Sequence, residues 1–204
     1  MARDGTQTRN SILDAAHALT LRQGFSATSI DQILAQTGLT KGAFFHHFHS
    51  KGDLARALVH RYADMESDLL NGFVARAERL SDEPLQQLLI IVGLSEELFA
   101  DLETPHPGCL FGSFCYQNAL LDADVMEVVG DAMRQWRTTL LAKLEAAAQR
   151  HPPPADTDLE AVADMFMTVF EGAFVLSRVL GEADLIIRQL RNYRRHLELL
   201  FAAA

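Results

Sequence analysis

Between Thr28 and Leu54 the chain reads TSIDQILAQTGLTKGAFFHHFHSKGDL, two short helical stretches with room for only a tight turn between them. Thr28 with Asp31, and Ser50 with Asp53, have the spacing of a helix N-cap and an acidic partner three residues on, so each pair marks a helix start. Ile30, Ile33 and Leu34 fall at helical spacing and give the first helix one apolar face. Gly38 ends it, since glycine takes the positive φ a sharp turn needs. Thr40 then caps a second helix from Lys41 to about His47. Helix, glycine turn, helix is the helix-turn-helix layout, whose second helix enters the DNA major groove.

The second helix has side chains suited to that groove. Gly42 and Ala43 do not hold the backbone away from base edges, and Lys41 and His46 carry hydrogen-bond donors. Phe44 and Phe48 repeat at i and i+4 and anchor the helix inward. Lys51 falls on the first turn of the next helix, where its ammonium and the free backbone N–H groups are expected to hold a phosphate together.

Gly24-Phe25, Thr28, Ile33, Gly38-Leu39-Thr40-Lys41-Gly42, Phe45-His46-His47-Phe48 and Lys51 occur in order and without a gap, and on these residues the first quarter of the chain resembles the tetracycline-repressor (TetR) family of bacterial regulators. The resemblance implies that Thr28, Thr40, Lys41, Phe45, His46 and Lys51 touch the DNA backbone, and that Gly42, Ala43 and His46 approach bases. Phe45 stands where the family usually has tyrosine. A phenyl ring cannot donate to phosphate, so one contact worth about 0.5–1.5 kcal/mol net is missing.

The charge is uneven. Residues 1–61 carry seven Arg or Lys against four Asp, a net +3, which leaves −12 for the rest of a 204-residue chain whose formal net charge is −9. A basic end on an acidic protein presents that end to phosphates and argues against uniform coating of nucleic acid. No apolar leader core precedes the polar N-terminal residues and no run of 18 apolar residues follows, so the expectation is a cytoplasmic protein without a membrane partner.

The remaining pattern is helical throughout. Helix 1 is expected from Thr8 to Arg22, with Ile12, Ala16 and Leu19 inward, and helix 4 from Ser50 to about Arg79, long enough to link two parts of the molecule. Pro84, beside Asp82, opens helix 5, whose Leu85, Leu88, Leu89, Val92, Leu98, Phe99 and Leu102 read as buried. Asp122 opens helix 7, striped by Val125, Val129, Ala132, Trp136, Leu140 and Leu144 and broken by Pro152-Pro153-Pro154. Thr157 with Glu160 opens helix 8, Gly181 closes it, and helix 9 carries Ile186, Leu190, Tyr193, Leu197 and Phe201. The expected fold is all-α with about nine helices: a three-helix DNA-binding domain with the helix-turn-helix over 1–50, and a helical effector-binding and dimerisation domain over 51–204.

Helix 8 is apolar over more than one stripe, which predicts packing on two sides, one the core and the other a second subunit. Glu160, Asp164, Thr168, Glu171 and Arg178 form one narrow polar row, so Glu171 suits a solvated or interface-rim position better than a buried partner for a cationic ligand. The resemblance implies that the last two helices pair across a two-fold axis. Phe174, Leu180, Ile186, Leu190, Tyr193 and Leu197 are the expected interface of a homodimer. Such a dimer sets two recognition helices about 34 to 36 Å apart on a palindromic operator.

The family also implies a small-molecule effector between helices 5 and 8. Phe99, Cys109, Phe111, Phe114, Tyr116, Trp136, Phe166 and Phe170 are the candidate lining, with Tyr116 or Trp136 as the polar handle. Cys109 follows two prolines and a glycine at an expected helix start, where the dipole lowers a thiol pKa and favours thiol modification. A small residue in a crowded bend is the simpler account, because no Lys or Arg lies nearby in sequence. Cys109 and Cys115 are six apart and are not expected to bridge each other. His46, His47 and His49 do not converge as metal ligands, and His106 with Cys109 is half a zinc motif without its second pair, so neither metal nor cofactor is expected.

These features imply a ligand-responsive DNA-binding regulator, released from its operator by a small molecule or by thiol modification. The competing reading is a helical ligand-binding protein or enzyme that kept the architecture without operator binding. No Ser/His/Asp set, paired carboxylates near a histidine, P-loop or G-x-G-x-x-G supports an enzyme.

Overall fold

The computed structural model describes residues 5–115 and 123–202, which form nine α-helices and no strand among the described residues. They are α1 (Gly5–Gln23), α2 (Ile30–Thr37), α3 (Lys41–His47), α4 (Lys51–Leu80), α5 (Pro84–Glu97), α6 (Leu110–Cys115), α7 (Ala123–Arg150), α8 (Leu159–Leu180) and α9 (Leu185–Ala202). Asp122, the expected start of α7, lies outside the described residues. The chain divides into two compact units: residues 1–65 with 108–131, and residues 66–107 with 132–204.

In the first unit α1 packs on α2 and α3, and Ile12, Leu13, Ala16 and Leu19 of α1 are buried together with Ile33 and Leu34 of α2, Phe44 and Phe48 at α3, and Leu54 and Leu58 of α4. This unit reaches past residue 50 and takes in α6. Phe114 meets Phe25 with ring centroids 5.1 Å apart, and Phe111 meets Tyr62 edge-on at 4.7 Å.

Three helix starts differ from the sequence expectation: α1 begins at Gly5 and not at Thr8, and α2 and α8 are each capped one residue later than expected. Ser29, not Thr28, caps α2: its hydroxyl accepts the Gln32 N–H at 3.1 Å, and the Gln32 side chain accepts the Ser29 N–H at 2.8 Å. A neutral amide therefore takes the place expected for Asp31. Asp158, not Thr157, caps α8, its carboxylate accepting the Ala161 N–H. The starts of α3 and α4 follow the sequence. Thr40 caps α3 by accepting the Ala43 N–H. Ser50 accepts the Asp53 N–H, and Asp53 in return accepts from His49, one residue beyond the usual partner. Gly38 (φ 67°) and Gly181 (φ 73°) close α2 and α8 in the left-handed region, which costs a residue with a side chain more than glycine.

In the second unit α5, α8 and α9 enclose an aromatic core with the later parts of α4 and α7. The α9 stripe of Ile186, Leu190, Tyr193, Leu197 and Phe201 is buried, and the Tyr193 hydroxyl donates to the Val162 carbonyl at 3.0 Å, tying α9 to α8. Burial holds that phenol protonated well above its ordinary range. Leu98 was expected inside but is 49% exposed, because α5 stops at Glu97 and the turn directs Phe99 inward instead. The polar row of α8 meets Arg137, which bonds both oxygens of Asp164 at 2.6 and 2.8 Å and lies 3.2 Å from Glu160.

Candidate nucleic-acid interface

At 100° per residue, α3 has three kinds of face. Phe44 and Phe48 point to the core at 0% and 3% exposure. Gly42, Ala43 and His46 lie opposite, and Lys41 with Phe45 and His47 occupy the two flanks. Gly42 is open to its surroundings: among the described residues a Cβ built there would meet only Thr40 Oγ1, at 3.8 Å. The protein's own packing therefore gives no reason for glycine at this position.

The flank bearing Lys41 and Phe45 opens onto a cleft of about 380 Å³ that also exposes Ser29, Asp31 and Lys51. Phe45 is 45% exposed, a large ring left on the surface and seated edge-on against Phe44. Lys41 pairs with Asp31 at 3.2 Å, both side chains being well exposed, so water and salt weaken the pair. His46 is exposed, its ring edge-on to His47.

Two expected phosphate contacts are placed differently. Thr28 is wholly buried: its hydroxyl donates to the Gly24 carbonyl at 2.9 Å and its N–H to Phe25, so it shapes the turn before α2 and has no surface to offer a phosphate. Lys51 lines the cleft, but its ammonium donates to the Ser26 carbonyl at 3.0 Å and lies 4.9 Å from the Phe25 ring centre. Burial pushes the pKa of that ammonium down from its ordinary value.

The candidate effector residues separate. Trp136, Phe166, Phe170 and Phe99 join in the second unit, from Trp136 stacked on Phe166 at 5.5 Å through Phe170 to Phe99. Trp136 is buried and its Nε1 has no hydrogen-bond partner among the described residues. Phe111 and Phe114 are instead core residues of the first unit, because the short α6 turns both rings inward against Phe25 and Tyr62. Cys109 is half-buried just before α6, and its carbonyl accepts both the N–H and the hydroxyl of Ser113. Tyr116 lies outside the described residues. His106, which the sequence offers only as half a zinc motif, instead joins the aromatic row, 4.9 Å from Phe174 and edge-on to Phe99, with Pro105 and Pro107 fixing the backbone on either side of it.

The expected dimer residues separate too. Ile186, Leu190, Tyr193 and Leu197 are 0–2% exposed in the single chain, so they fill the protomer's own core and leave no surface for a partner. Phe174 is 9% exposed and belongs to the aromatic row, whereas Leu180 is 57% exposed beside Val175, Leu176 and Val179. Among the described residues no three His, Cys, Asp or Glu side chains gather as a metal site, and no helix is long and apolar enough to cross a membrane.

Comparison with known proteins decides what this helix-turn-helix belongs to. Residues 12–58 match the bacterial regulatory proteins of the tetR family, and residues 84–193 match the tetracyclin repressor-like C-terminal domain. The chain belongs to the TetR family. As a member it is a DNA-binding transcriptional regulator with a C-terminal helical domain. It is 24% identical over 200 residues to the transcriptional regulator AcuR of Cereibacter sphaeroides, covering 96% of this chain and 87% of that protein. It is 25% identical to the transcriptional repressor BepR of Brucella suis, covering 92% and 89%. A TetR-family regulator from Agrobacterium tumefaciens superposes with a TM-score of 0.79 at 26% identity, covering 97% of this chain and all of that one.

Proposed function

We propose that this TetR-family protein is a homodimeric repressor that holds a palindromic operator and releases it when a small molecule binds the C-terminal domain. Gly42 carries the reading. A glycine on the exposed face of a helix, with nothing of its own protein to avoid, suits close approach to another molecule. Thr40, Lys41, Phe45 and Lys51 then meet the backbone, and Gly42, Ala43 and His46 meet bases, with residues 1–50 and the first turn of α4 reading DNA and the rest of the chain serving effector and partner. The named function of BepR as a repressor supports the direction of control.

The dimer contact runs along the outward side of α8, where Val175, Leu176, Val179 and Leu180 are 47–75% exposed, together with Leu199 of α9. The effector seat lies among Trp136, Phe166, Phe170 and Phe99, with the unpartnered indole N–H as its polar handle. Thiol modification of Cys109 is the second route to release. Binding of the operator puts the protein in the cytoplasm, and regulation rather than catalysis is its task. A gel shift with duplex from beside its own coding region, at low salt and with candidate aromatic effectors, tests the proposal. A shifted band that an effector abolishes supports it, and no band at 50 mM salt refutes it.

A further inference from the structure

The other flank of α3, the side bearing His47, opens onto a second and larger cleft of about 630 Å³. Arg9 of α1, His47 and His49 around the end of α3, and Arg56, His60 and Arg61 of α4 line it. A Cβ built on Gly5 would lie 3.7 Å from the His47 ring, so the first turn of α1 stands directly against the end of the recognition helix.

The cations of this cleft are not equivalent. Arg61 is paired with Asp14 at 2.7 Å and Arg56 with Asp53 at 3.3 Å. Asp53 also accepts the His49 N–H, and the other acid, Asp64, lies eleven residues on, about 16 Å along the axis of α4 at 1.5 Å per residue. Arg9 is exposed, has no carboxylate partner among the described residues, and lies over the Phe48 ring with its guanidinium carbon 5.4 Å from the centre. A guanidinium stacked on a ring is oriented, and its N–H groups remain free around its edge to take a phosphate.

An α-helix with its side chains is 10–12 Å across and the major groove is about 12 Å wide, so a recognition helix in the groove brings both flanks against a phosphate strand. The Lys41 flank is weakly furnished for that contact, with a phenyl ring at 45, Lys41 on Asp31, and Lys51 turned onto Ser26. We propose that the cleft at Arg9 and His47 is a second backbone-binding site, which holds phosphates of the strand opposite the one met by Thr40 and Phe45. It rests on the operator-binding function proposed above.

The test uses the full chain and two fluorescein-labelled 30-base-pair duplexes of unrelated sequence, with affinity followed by anisotropy between 50 and 200 mM NaCl. Arg9→Gln is expected to weaken binding equally on both duplexes and to lower the slope of log affinity against log salt by about 0.9, the value of one phosphate contact. Arg9→Lys is expected to restore the slope, and adding His47→Ala to Arg9→Gln is expected to weaken both duplexes further. A thermal melt of each variant separates lost contact from lost fold. A slope unchanged in Arg9→Gln, with wild type binding normally, overturns the second site and leaves the operator reading standing. Wild type that binds neither duplex at 50 mM salt overturns both.

Discussion

Gly42→Ala separates the demands of the fold from those of the DNA, because the two should respond with opposite sign. In the protein alone the new methyl meets only Thr40 Oγ1 at 3.8 Å, an ordinary van der Waals distance, and Gly42 does not use positive φ. Alanine is better than glycine in a helix by roughly 0.5–1 kcal/mol, so the variant should be the more stable one. In a chain of this size that corresponds to a melting temperature higher by about 1–4 °C. Against DNA the methyl occupies the face opposite Phe44 and Phe48, where the proposed operator complex brings the helix backbone nearest the bases. Displacing it there forfeits one base contact or more at about 1–3 kcal/mol each, roughly a 5- to 150-fold loss of affinity for the preferred operator. Circular dichroism melts and anisotropy on an operator selected from random duplexes read the two effects. A stabilised variant that binds as tightly as wild type would refute the placement of Gly42 against bases, and a lowered melting temperature would refute the account of its packing.

Lys51→Ala should weaken binding uniformly across sequences and reduce the salt slope by about one, provided the ammonium leaves Ser26 for a phosphate; an unchanged slope would mean that it serves only the turn. Val179→Glu places a charge on the most exposed apolar residue of α8, at 75% exposure, and should convert dimer to monomer in sedimentation while leaving the helical content intact. His17 supplies a pH test. Burial first, and then the nearby Arg61, hold its pKa below the usual 6.5, with Asp14 opposing. The unfolded chain therefore binds a proton that the folded one resists, so stability should be undiminished above that value and fall as the pH drops below 6.5. His17→Phe, which keeps a ring edge-on to Tyr62, should flatten this decline; an equally steep fall in its melting temperature between pH 7 and 5.5 would assign the effect to other groups.

The helices were legible because their signals are local. The α7 stripe from Val125 to Leu144 is buried at every position named, since a period of 3.6 places those side chains on one side whatever they meet. Caps were legible only to within a residue. Thr28 and Ser29 carry the same hydroxyl, and the choice fell to Ser29 because Gly24 offers Thr28 a carbonyl and Gln32 offers Ser29 a reciprocal bond. The exposed face of α3, with Gly42, Ala43 and His46, could be read from residue size and spacing, but the cleft on its second flank could not. Arg9 stands 38 positions before His47, and no periodicity within either helix brings them to one cleft.

Periodicity also identifies an apolar face without identifying what covers it, and this is why α9 misled. Its stripe has the regularity of a dimer contact, yet the same regularity serves a helix that closes its own protomer's core, and the Tyr193 hydroxyl bonded to Val162 shows which demand it meets. The distinction lies in α8. Phe166, Ala173 and Phe174 are buried with Val162 while Val175, Leu176, Val179 and Leu180 stay exposed, so α8 keeps a run of apolar surface after the core is filled. Leu199 is the comparable residue on α9, at 56% exposure, among arginines at 191, 194 and 195 that interrupt its outer side. A partner that buries apolar area must therefore be seated mainly by the C-terminal turns of α8, and a charge at Val179 should disrupt it more than a charge at Leu199. Equal loss of dimer from the two substitutions would return α9 to the interface on an equal footing.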